Sequence, residues 1–128
     1  MVWVDLVTVA ALLQYLVFGT LVSRARGKYG VKAPSTTGND MFERYYRVQM
    51  NTLELLVVLI PALWMASTYW SPGWMSGIGA VYLVGRIIYL KAYTRPPAKR
   101  GLGYGLSLIP VVVLLLAALA GLVLEGMR

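Results

Sequence analysis

The stretch Glu43-Arg44-Tyr45-Tyr46-Arg47-Val48-Gln49-Met50-Asn51-Thr52-Leu53-Glu54 decides how this chain is read, because unbroken apolar sequence from Leu55 to Ala66 follows it directly. Together they have the length of a membrane-spanning helix that begins in polar residues. Ionisable groups are costly at membrane depth and are seldom placed there without a function. Arg44, Arg47, Asn51 and Glu54 stand at i, i+3, i+7 and i+10, which is one face of a helix. Two guanidiniums, an amide and a carboxylate on one face must look at protein, water or a polar ligand rather than at lipid.

The rest of the chain fits a membrane setting. Of 128 residues, 59% are hydrophobic and 13% charged, with a mean hydropathy of +0.67; a soluble domain has nearer 45–50% apolar and about 25% charged residues. Spans of roughly 20 apolar residues cross a bilayer, and four candidates are found, at about 3–22, 44–69, 74–93 and 102–124. The expected fold is therefore all-α, one domain over residues 1–128, an integral membrane four-helix bundle. Small residues on the third span (Gly77, Gly79, Ala80, Gly85) permit close helix packing. One four-helix unit offers little room for a ligand cavity, so a homo-oligomer is expected.

Two connections, the second taken from the end of the third span, hold eight of the twelve basic residues: Arg24, Arg26, Lys28 and Lys32 in the first, Lys91, Arg95, Lys99 and Arg100 in the second. The positive-inside rule puts both connections in the cytoplasm and both termini outside. Apart from Arg26, the basic residues of the first connection, with Lys91 and Lys99, read most simply as topology signals and phospholipid contacts. Tyr69, Trp70 and Trp74, around the turn Ser71-Pro72-Gly73, read as an interfacial aromatic belt. Asp40 is the expected N-cap of the second helix, with Glu43 completing a capping box. Pro61 is expected to kink that helix or to need a neighbour for the freed carbonyl. No leader segment is evident at the N-terminus. The compact chain fits a prokaryotic plasma membrane better than the endoplasmic reticulum.

The chain has no Cys and no His. That removes thiolate nucleophiles, disulfides and the usual zinc ligands. What remains for chemistry on the polar helix faces is arginine, amide, phenol and the Glu54 carboxylate. Arg86, Tyr89 and Tyr93 share a face of the third helix, in the same leaflet as the first set. Arg86 either snorkels to the interface or pairs with Glu54. With Arg26, the two sets suit a small zwitterion bearing more than one carboxylate, since guanidiniums take carboxylates in bidentate pairs. Glutathione has two carboxylates, an ammonium and a thiol. Its thiol, with a pKa of about 8.5 when free, becomes a better nucleophile beside guanidiniums that favour thiolate.

The pattern Glu43-Arg44-x-x-Arg47-x-Gln49-x-Asn51-x-x-Glu54 resembles the signature of the membrane-associated proteins in eicosanoid and glutathione metabolism (MAPEG), in the branch of microsomal glutathione transferases of types two and three and leukotriene C4 synthase. Pro34-x-Thr36-Thr37-Gly38 and Tyr82-Leu83-x-x-Arg86-x-x-Tyr89-x-x-x-Tyr93 extend the match. The resemblance implies a homotrimer that binds glutathione between neighbouring subunits near the cytoplasmic face. It implies Arg26, Arg47, Asn51, Glu54, Tyr89 and Tyr93 as glutathione ligands, Gln49 as a lining residue and Arg100 as the catalytic residue that stabilises the thiolate. Glutathione would be the co-substrate, with a lipophilic electrophile or lipid hydroperoxide as acceptor; no metal and no nucleic acid are implied.

Two positions depart from the family pattern. Gly27 stands where the leukotriene enzyme has a second arginine for its epoxide, which argues against dedicated leukotriene synthesis. Leu55 replaces an aromatic residue after the signature glutamate. Arg47, which the five-lipoxygenase-activating protein lacks, is retained, so the residues favour a transferase over a lipid-binding scaffold. A small proton-coupled multidrug exporter is the other alternative, but there the carboxylate sits centrally in an apolar helix, whereas Glu54 stands near a helix start amid arginines.

Overall fold

The computed structural model describes residues 1–95 and 101–128. It contains four helices: α1 (Val2–Tyr29), α2 (Asp40–Tyr69), α3 (Pro72–Tyr93) and α4 (Gly101–Gly126). All four are long and apolar enough to cross a membrane. The main core joins all four helices, with Val4, Val7 and Ala11 of α1, Leu55, Leu59 and Leu63 of α2, Tyr82 of α3 and Leu114 of α4. The outward faces remain apolar: Leu13, Leu16 and Val17 of α1 and Leu119, Leu122 and Val123 of α4 are all exposed. In water such faces would associate or aggregate; in a bilayer they meet acyl chains.

The helix ends differ from expectation in two informative ways. α1 continues seven residues beyond 22, so Arg24, Arg26 and Lys28 are helical rather than part of a loop. Counting apolar residues finds only the hydrocarbon crossing, whereas arginine and lysine extend a helix readily. Gly30 stops it: with φ 68° and ψ 31° it adopts the left-handed cap, and Val31 N–H donates to Arg26 C=O at 3.1 Å, as a C-terminal cap requires.

At the start of α2 the N-cap is Asn39, not Asp40. Asn39 Oδ1 accepts from Phe42 N–H at 3.0 Å, and Glu43 Oε2 accepts from Gly38 N–H at 3.3 Å. Gly38, with φ 120°, turns the chain so that Asn39 reaches the extended cap conformation, φ −152° and ψ 129°. Asp40 falls inside the first turn, where it takes Arg44 Nε at 3.0 Å. The helix runs unbroken through Pro61. At α3, Ser71 Oγ caps Trp74 N–H at 3.4 Å and Pro72 takes the first helical position, where its missing N–H costs nothing.

α3 and α4 approach closely because glycines face backbone. A methyl group added at Gly85 would lie 2.6 Å from the Leu106 carbonyl carbon, and one at Gly103 would lie 2.5 Å from the Tyr89 nitrogen. This contact brings Ser107 beside Arg86 and Tyr104 beside Tyr89.

Candidate functional site

Arg86 lies at the centre of the polar residues and is wholly buried. Its Nε donates to Ser107 Oγ of α4 at 2.9 Å. Its Nη1 donates to Asn51 Oδ1 at 2.7 Å and to Thr52 Oγ1 at 3.0 Å, both on α2. The guanidinium centre sits 4.4 Å from the Tyr89 ring centroid and 5.9 Å from that of Tyr82. The side chain neither snorkels nor meets Glu54. Glu54 is on an exposed face of α2, and the ion pairs among the described residues are Arg44–Asp40 and Arg128–Glu125. Arg86 is therefore held by neutral oxygens and aromatic faces. The grip is three-sided, since Arg86 links α2, α3 and α4.

This arrangement orients Asn51. With its carbonyl oxygen committed to Arg86, the amide N–H groups are what Asn51 offers to a ligand. Tyr89 and Tyr93 follow on the same side of α3, their ring centroids 5.4 Å apart, and Tyr104 adds a third ring 6.1 Å from Tyr89. Arg47 is exposed and lines a cleft of ≈ 250 Å³ with Asp40, Glu43, Arg44 and Tyr93. Arg44 is engaged structurally: its Nη1 donates to the Tyr93 carbonyl at 3.1 Å and its Nε to Asp40, fastening α2 to the end of α3.

Arg26 and Gln49 belong to a different group. Arg26 Nη1 donates to the Ser35 carbonyl at 2.7 Å, and the guanidinium lies 4.7 Å from the Phe42 ring centroid. It thereby pins the connection after α1 against α2. Gln49 packs its amide against Gly19 of α1, where an added Cβ would lie 2.9 Å from Gln49 Nε2. At about 100° per residue, Gln49 points some 200° around α2 from Arg47. One chain thus gathers Arg47, Asn51, Tyr89 and Tyr93 toward one side, with Glu54 on the Arg47 face, and sets Arg26 and Gln49 on the other. Arg100, the expected catalytic residue, lies outside the described residues.

Thr52 and Ser107 were not singled out by the sequence, although they hold Arg86. Both hydroxyls also bond their own helix, Thr52 to Val48 C=O at 2.7 Å and Ser107 to Gly103 C=O at 2.6 Å. The glycine contacts that set the level where α4 presses on α3 beside Arg86 exist only in the folded bundle.

Comparison with known proteins bears on this arrangement. The family model described as "MAPEG family" matches residues 4–120. Microsomal glutathione S-transferase 2 of Homo sapiens is 38% identical over 88% of this chain and 78% of its own length. Leukotriene C4 synthase of Cavia porcellus is 37% identical over 73% of this chain and 63% of its own length. A protein of Synechocystis sp., described as uncharacterized, is 44% identical over 93% of this chain and 87% of its own length.

Proposed function

Given that this chain belongs to the MAPEG family, we propose that it is a membrane-bound glutathione transferase, acting as a homotrimer with its sites between subunits. The observation that carries the reading is the split of the polar residues around α2. Arg47 and Glu54 are exposed on a membrane-length helix, where a polar face needs protein or a polar ligand to cover it. The residues expected to join them, Arg26 and Gln49, stand on the opposite side of the same chain. A neighbouring copy that presents its Arg26 side to the Arg47 side of this one brings the set together. One of the named relatives is microsomal glutathione S-transferase 2, and the glutathione chemistry proposed here agrees with that name.

In this site Arg47 and the neighbour's Arg26 take the glutathione carboxylates, Glu54 takes the ammonium, and Asn51 donates to a peptide carbonyl. Tyr89 and Tyr93 supply phenols along the peptide, and Gln49 lines the site. Arg100 holds the sulfur as thiolate. The thiol proton leaves to solvent, and the sulfur lone pair attacks an electrophilic carbon of a lipid-soluble acceptor. A C–S bond forms as the bond to the leaving group breaks, and the leaving group departs with the electron pair. With a hydroperoxide, the thiolate attacks oxygen, the O–O bond breaks to give alcohol, and a second glutathione reduces the sulfenic acid to disulfide and water. Gly27 leaves room where the leukotriene enzyme carries a second arginine, which favours general electrophiles. The basic ends of α1 and α3 face the cytoplasm in this reading, in a prokaryotic plasma membrane.

The test is glutathione conjugation to a generic aryl halide by the detergent-purified chain, with Arg47→Ala and Arg100→Ala alongside. Turnover above the uncatalysed rate, lost by at least tenfold in both variants (about 1.4 kcal/mol), is expected. No turnover together with no thermal stabilisation by glutathione overturns the transferase and favours a lipid-binding scaffold.

A further inference from the structure

A second polar cleft lies at the same end of the bundle, on a different surface. Leu21, Arg24, Ala25, Lys28 and Tyr29 of α1 and Tyr45 of α2 line a space of ≈ 230 Å³. Arg24 and Lys28 stand at i and i+4, both exposed, and Lys28 Nζ lies 5.4 Å from the Tyr29 ring centroid. No carboxylate lines this cleft among the described residues, in contrast to the one at Arg47, where Asp40 and Glu43 balance two arginines. Two uncompensated cations and two phenols are a set of donors for a group with several anionic oxygens. A hydrophobic floor of Leu21 and Ala25 distinguishes the cleft from a site for a free ion.

The same line of α1 continues as an apolar stripe. Val17, Leu13, Ala10, Leu6 and Trp3 precede Leu21 at helical spacing; all but the half-buried Ala10 are exposed. At 1.5 Å per residue the stripe from Leu21 to Ala10 runs roughly 16 Å, about half the thickness of a bilayer's hydrocarbon core. It reaches a groove formed by Trp3, Leu6, Val7, Gly73, Ser76, Gly77 and Ala80. Charge at one end of an exposed apolar stripe that is at least one leaflet long fits a lipid rather than a soluble anion or a protein segment.

We propose that this cleft is a specific site for an anionic glycerophospholipid, its phosphate held by Arg24 and Lys28 with the Tyr29 and Tyr45 hydroxyls, and one acyl chain lying on Leu21, Val17 and Leu13. The site is separate from the glutathione reading and stands or falls without it. Basic residues at a membrane surface attract anionic lipid by about 1 kcal/mol each, or roughly fivefold, so removing two weakens binding by about thirtyfold.

Thermal unfolding of the detergent-purified chain tests this with added phosphatidylglycerol, phosphatidylcholine or sodium phosphate. Phosphatidylglycerol is expected to raise the midpoint at a lower mole fraction than phosphatidylcholine, and sodium phosphate to have no effect. Arg24→Gln with Lys28→Gln should lose that preference, while Lys91→Gln with Arg95→Gln should keep it. The proposal is overturned by equal response to both lipids, by an equal loss in both double variants, or by phosphate alone reproducing the shift. It is also overturned by a midpoint that follows protein concentration with no lipid preference, the sign of a second copy covering the stripe. Native mass spectrometry of the unaltered chain covers the case of a variant that does not fold. A saturating population of one phosphatidylglycerol per chain is expected, and an unsaturable series of adducts would count against the site.

Discussion

At the scale of single residues, Arg86 separates structure from ligand orientation. Thr52 and Ser107 each keep a backbone acceptor of their own, so losing Arg86 leaves neither hydroxyl orphaned. Asn51 Oδ1 is the partner left without its donor, while Arg86 Nη2 has no partner among the described residues. An apolar side chain of similar length avoids the cost of burying a charge that has no ion-pair partner, which offsets much of what the three hydrogen bonds of Arg86 contribute. Arg86→Met is therefore expected to shift the thermal midpoint by only a few degrees. Asn51 is then free to turn, and glutathione binding should weaken by about 5–30-fold, the loss of one oriented hydrogen bond to a charged or polar ligand. Isothermal titration with glutathione beside a thermal melt checks this; a large drop in midpoint with unchanged affinity in the folded fraction would make Arg86 purely structural. The sequence made Arg86 conspicuous but not its partners. A threonine and a serine 34 and 21 residues away become its acceptors only through tertiary packing, and hydroxyls of this kind carry no signal of their own.

At the scale of helices, four apolar runs announced the architecture, since an uncharged run of bilayer length satisfies its own backbone in lipid only as a helix. Their ends were legible only where turn chemistry spoke clearly. Gly30 and Ser71-Pro72 stop and start helices by backbone preference, whereas Asn39 and Asp40 are adjacent, equally suited caps, and the positive φ of Gly38 chose between them. The glycines of the α3–α4 contact lead to a paired prediction. Gly103→Ala forces a methyl into the Tyr89 backbone and should destabilise by about 1–3 kcal/mol, as overpacking does. Gly105→Ala, two residues on in the same helix with nothing within 4 Å, should stabilise by about 0.8–1 kcal/mol, because alanine is the better helix former. Opposite shifts in denaturant or thermal midpoint are expected. Equal shifts would mean that α4 does not lie against α3 at this level.

At the scale of the whole molecule, the proposed trimer is what would join the site residues, since one chain sets Arg26 and Gln49 on the side of α2 away from Arg47. Spacing alone grouped Arg47, Asn51 and Glu54 on a face, and that grouping is what the helix produces. It gave no warning that Arg26 and Gln49 would stand on the other side, since their place depends on where α1 packs against α2. A site shared between subunits has a consequence that a site within one chain lacks. Arg26→Ala and Arg47→Ala should each be nearly inactive alone, yet a chain bearing one defect still carries the other arginine intact. Coexpressed in equal amounts in a cyclic trimer, a site is whole wherever an Arg47→Ala copy offers its Arg26 to an Arg26→Ala copy that offers its Arg47. Random mixing makes about one quarter of the sites whole. Conjugation by the coexpressed pair is therefore expected to recover to about a quarter of the unaltered rate, while the two variants purified separately and mixed in detergent without exchange stay inactive. If coexpression restores nothing although mixed oligomers are isolated by two different affinity tags, both arginines serve the same copy, and the division of this site around α2 has another cause.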